Sequence, residues 1–187
     1  MKITVKRAVV ALCALVTAGS ATASVGSPAY ALGPGRVCMF LSLTGVPVLG
    51  HVGWAFRIDD SPQWIFGSTD SNEAGDRHVP KGAFNGAWWR RGTFDTVKSV
   101  FRTNRIDYTR YRCKDTPTSA VGAAAALAKD AKKWGYDLFE NNCLDHAAKI
   151  LNTYRGAVAP APWSYPVPSE YFAVGLKRSG WEPARQL

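Results

Sequence analysis

The run Gly50-His51-Val52-Gly53-Trp54-Ala55-Phe56-Arg57-Ile58 is extended and apolar, and four turn-forming residues, Asp59 to Pro62, close it. Gln63-Trp64-Ile65-Phe66-Gly67-Ser68 then resumes the same pattern, so the two runs predict a β-hairpin. A hairpin this apolar has to be covered, which commits the chain to a sheet with helices packed on it. Two further runs read as strands. Val37-Cys38-Met39-Phe40-Leu41 is one, and the alternating Tyr108 to Cys113 ends the other. Residues 96–101 and 106–113 are expected to pair around Asn104, giving an antiparallel sheet of about five strands and an α+β fold.

Helical signals come later. Thr116-Pro117 predicts a helix through the alanine-rich stretch to Lys133, stopped by Gly135. Residues 143–151 carry Leu144, Ala147, Ala148 and Leu151 at helical spacing, with Asn141 and Asn142 as starters. A proline-rich segment, 157–168, should run extended over the surface before a last helix from Ser169 to Lys177 that buries Tyr171, Phe172 and Leu176. Between the hairpin and residue 95 no period is evident. The stretch 69–95 is read as a long surface loop carrying Trp88-Trp89 and Arg90-Arg91. Exposed Trp and Arg make a recognition surface, and the alternative is that one Trp plugs the core.

The first 31 residues read as a secretory signal peptide. Lys2, Lys6 and Arg7 precede a short apolar run, and Ala29-Tyr30-Ala31 is a small-x-small cleavage site. Residues 32–187 are then one domain, expected outside the cytoplasm as a monomer without a membrane-spanning segment. Taking those three basic residues from the 23 in the chain, against 14 acidic ones, leaves +6. That charge favours anionic surfaces. It is scattered, and no nucleic-acid motif accompanies it.

Three of the four cysteines lie beyond the leader. Cys38 and Cys113 sit on strand-like runs and form a natural disulfide in an oxidising compartment, which leaves Cys143 as the odd thiol. In the first turn of a helix, unpaired N–H groups and the dipole favour its thiolate, the form that attacks carbonyls. His51, one of three histidines, opens the first hairpin strand, where Gly50 and Gly53 allow close approach.

Gly50-His51-Val52-Gly53, Trp64-Ile65-Phe66-Gly67 and Asn142-Cys143, in that order, resemble the circularly permuted papain-like hydrolases. These include the PPPDE-type peptidases and the lecithin:retinol acyltransferase-like group, relatives of the NlpC-type enzymes. The resemblance covers about a quarter of the chain beyond the leader. It departs at Gln63 to Ser68, which lacks the second histidine of the acyltransferase-like branch, and at Asn-Cys-x-x-His, where one residue separates Asp145 and His146 from the common spacing.

The resemblance implies a Cys143–His51 dyad cleaving an amide or related acyl bond, in cell-wall peptide for example, with the oxyanion held by the helix-start N–H of Cys143. Gln63 or Ser68 would orient the imidazole. Trp54, Trp88, Trp89 and Asn142 are candidate substrate contacts, and His146 is a structural neighbour. No cofactor or metal is called for. A zinc site of His51, Cys143 and His146 lacks a second ligand pair of recognised spacing. The alternatives are a non-enzymatic binding module that uses the 69–95 loop and an acyltransferase or lipid-acting relative.

Overall fold

The computed structural model describes residues 34–44, 49–59, 61–72, 74–104, 106–165 and 167–187. The signal-peptide reading of residues 1–31 lies outside them. Strands β1 (Gly35–Ser42), β2 (His51–Arg57), β3 (Gln63–Ser68), β5 (Trp88–Thr93), β6 (Arg110–Thr116) and β8 (Arg185–Gln186) form an antiparallel sheet in the order β5-β3-β2-β1-β6-β8. A two-residue strand β4 (His78–Val79) pairs separately with β7 (Tyr136–Asp137).

β1 occupies the centre, and its pleat feeds both layers of the core. Val37, Met39 and Leu41 join Val52, Trp54 and Phe56 on one face. Cys38 and Phe40 join Ala55, Trp64 and Phe66 on the other. Period-two alternation sends successive side chains to opposite faces, so a strand apolar at every position requires cover on both.

That cover comes from four helical segments. α1 (Phe94–Thr103) closes the second face with Val97 and Phe101, one helical turn apart. The first face takes α2 (Val121–Asp130), α3 (Cys143–Tyr154) and α4, which runs through Pro168–Glu170, a π turn Tyr171–Gly175, and Leu176–Arg178. Tyr171, Phe172 and Leu176 are buried as their spacing predicts.

Several expectations are corrected. Residues 96–101 are helix rather than strand. Thr93 caps the helix by accepting from the Thr96 N–H, and the sheet rewards the Val97/Phe101 stripe over the β-preference of Thr96, Val97 and Val100. The expected 69–95 loop holds β4, the whole edge strand β5 and the start of α1. Thr116 ends β6 instead of starting a helix. α2 begins at Val121, and among the described residues the longest helix is α3 with 12 residues. The proline-rich segment is pinned rather than merely wrapped: Asn152 exchanges two hydrogen bonds with Ala159, and Tyr171 Oη donates to the Pro160 carbonyl.

Cys38 and Cys113 face each other across the β1–β6 ladder and are disulfide-bonded. Cys143 is a free thiol.

Candidate active site

α3 starts where it does because of a reciprocal cap. Asn142 Oδ1 accepts from the Leu144 N–H at 2.8 Å, and Asp145 Oδ2 accepts from the Asn142 N–H at 3.0 Å. Asp145 therefore belongs to the helix start. Cys143 is the first helical residue, 3 % exposed, and α3 packs on β2.

His51 is the first residue of β2, buried at the end of the sheet with the ring of Tyr108 edge-on at 5.9 Å. Its Nε2 lies 2.7 Å from Ser68 Oγ and 2.8 Å from Asp70 Oδ1. A carboxylate oxygen accepts, so Nε2–H is the donor toward Asp70. The imidazole is also within hydrogen-bonding reach of the Cys143 side chain, and Nδ1 is the nitrogen left for it. Burial alone would push the His51 pKa down. The charge and hydrogen bond of Cys143, together with those of Asp70, override it and raise the pKa to about 10.

Asp70 is the neighbour of His51 that the sequence reading missed, although the hairpin carries its signal. The register pairs Arg57 with Trp64 and Gly53 with Ser68. Two steps further, the same register sets Asp70 opposite His51. By the same register Gln63 falls opposite Ile58, at the turn end, and the Ile58 N–H donates to its carbonyl. Seven residues of extended chain, about 23 Å, separate it from His51. Of the two suggested orienting residues, Ser68 is beside the imidazole and Gln63 is not.

The candidate substrate contacts divide. Trp54 is 1 % exposed and stacks on Phe56 within the core. Trp88 packs edge-on against Phe66 and tilted against Phe101 while lining a broad groove of about 1020 Å³ that reaches Asp70. Trp89 is on the surface beneath Lys129. The Asn142 side chain is committed to the cap and to the Leu138 carbonyl.

His146 is engaged by Asn141 and Trp134. Its Nε2 donates to Asn141 Oδ1 at 2.9 Å, and Trp134 meets the ring edge-on. Burial, then the neighbouring Lys149, lowers its pKa to about 4, so it is neutral. Among the described residues, no three His, Cys, Asp or Glu side chains are grouped to hold a metal ion, and no helix is long and apolar enough to cross a membrane.

A small cleft of about 80 Å³ opens beside the thiol. Tyr136 lines it together with Cys143, and burial, then the charges of Cys143 and Asp70, raises the Tyr136 pKa and keeps its phenol protonated.

Compared with models of protein families, with curated proteins and with solved structures, the chain finds no match.

Proposed function

We propose that the protein is a cysteine hydrolase of the permuted papain-like kind, cleaving amide or related acyl bonds with Cys143 as nucleophile and His51 as acid and base. One observation carries this reading. A buried imidazole has a free thiol on one side and a carboxylate with a hydroxyl, Asp70 and Ser68, on the other. That is the arrangement a thiolate–imidazolium pair needs.

In the reaction, Cys143 Sγ bonds to the substrate carbonyl carbon. The oxyanion forms beside the Cys143 N–H and the protonated Tyr136 phenol, both at the cleft. As the C–N bond breaks, His51 gives its Nδ1 proton to the leaving amine. Water, deprotonated by the now neutral His51, then opens the thioester. Asp70 acts as a positioning residue that fixes the tautomer and steadies the imidazolium.

The order of strand histidine before helix cysteine supports the permuted arrangement. The Cys38–Cys113 disulfide supports an oxidising, extracellular compartment. The +6 charge of residues 32–187 favours substrates on anionic surfaces, and cell-wall peptide is our first choice.

The test is labelling of the secreted protein with iodoacetamide near neutral pH. Cys143 should react faster than a model thiol and slow down in His51→Ala. A rate equal to that of the model thiol, and indifferent to His51, overturns the proposal.

A further inference from the structure

The cleft beside Cys143 carries mostly apolar side chains on its lining. Leu49, Leu138, Phe139 and Pro168 line it, with Gly50 at the strand entrance and Tyr136 opposite. Gly50 has a φ of +79°, and a Cβ there would stand 3.1 Å from the Ser42 carbonyl oxygen, so this wall stays bare backbone. Asn142, the remaining polar side chain on the lining, is spent on the helix cap and the Leu138 carbonyl. No Lys, Arg, Asp or Glu is found among the described residues that line the cleft. Phe139 is 79 % exposed at the lining, where an entering ligand would cover it.

From this geometry we infer that the cleft is the subsite for a short aliphatic side chain on the residue whose carbonyl Cys143 attacks. The inference rests on the proposed cysteine-hydrolase reading and names its substrate class. Three features fix it. Cys143 lines the cleft and His51 does not, so the cleft lies on the acyl side, away from the leaving group that His51 protonates.

The volume, about 80 Å³, is well under the roughly 150 Å³ of a cavity that holds a benzene ring. It takes an alanyl or valyl side chain and stops short of a phenyl ring or a long acyl chain. No charged side chain among the described lining residues would pair with an entering charge, and an unpaired charge forfeits its hydration there. A glutamyl or lysyl side chain is therefore rejected. The anionic character of a wall polymer would have to be read elsewhere, on the basic surface. The same dimensions disfavour a lipid-acyl substrate.

The experiment is a series of N-acetyl-aminoacyl chloromethyl ketones with glycyl, alanyl, valyl, phenylalanyl and glutamyl side chains, plus an octanoyl analogue. The readout is the inactivation rate at Cys143 divided by the iodoacetamide rate. Alanyl and valyl reagents should exceed the glycyl one by about 10-fold for each methylene-sized group that fits. Phenylalanyl, glutamyl and octanoyl reagents should gain nothing. Leu138→Ala, which widens the cleft, should move the optimum of that ratio to the phenylalanyl reagent.

A flat series alongside fast, His51-dependent iodoacetamide labelling overturns the subsite and leaves the hydrolase reading standing. A glutamyl or octanoyl optimum overturns it as well. If no reagent labels Cys143 faster than a model thiol, the hydrolase reading fails and the subsite fails with it.

Discussion

At the scale of single residues, His51 and His146 show how environment divides one side-chain type into two roles. His146 is buried without a counter-charge, so the fold favours its neutral form, with a pKa near 4 against an ordinary 6.5. Below 6.5 the unfolded chain takes up a proton that the folded one refuses. This residue's contribution is therefore complete above about 6.5 and falls away as the pH drops toward 4. Its size is on the order of 3 kcal/mol. Urea titrations should show this acid loss in the wild type and a flatter curve in His146→Gln, with catalysis kept.

His51 has the opposite sign. Its raised pKa gives stability that is present below 6.5 and lost as pH rises through about 10. Asp70→Asn removes the carboxylate that fixes the imidazole. It should cut kcat by about 100-fold or more with little change in KM, within the usual range for acid–base catalysis. A loss confined to KM would assign Asp70 to substrate binding instead.

At the scale of elements, the hairpin and the Cys143 helix were legible because their signals are local. Turn residues fix the β2–β3 register, and an apolar stripe behind Asn142 fixes α3. The Asn142→Ala variant should lose roughly 1 kcal/mol in denaturant unfolding through loss of the cap. α1 was not legible as a helix. Thr96, Val97 and Val100 favour a strand by themselves, and only the sheet face buried by Val97 and Phe101 reverses the choice. β5 was hidden for a similar reason. An exposed edge strand of Arg90, Arg91 and Gly92 has no alternation to read, and its strand character comes from pairing with β3. Asp70 was missed because it lies just past the strand end, where the composition turns loop-like. Extending the register would have found it.

At the scale of the molecule, the sheet carries helices on both faces, and one disulfide links its central strand to β6. Cys38 and Cys113 are 75 residues apart in sequence. Closing a loop of that length stabilises by about 4 kcal/mol in the chain-entropy account. Thermal melts with and without reductant should differ accordingly, and mass mapping of the unreduced protein should find only Cys143 alkylated among these three cysteines. A fold of this kind holds the start of β2 and the start of α3 in one place, because α3 packs directly on β2. The proposed chemistry depends on that meeting rather than on any single motif.

The most direct measurement of the central claim is an NMR titration of the His51 imidazole in the wild type and in Cys143→Ala. The account predicts that wild-type His51 keeps its proton until the pH reaches about 10, because the Cys143 charge outweighs the other influences that raise it. In Cys143→Ala that support is gone and burial remains, so the midpoint should fall by well over one pH unit, while Asp70→Asn should lower it less. Identical midpoints in the wild type and Cys143→Ala would mean that thiol and imidazole do not form a pair, and the account would be contradicted.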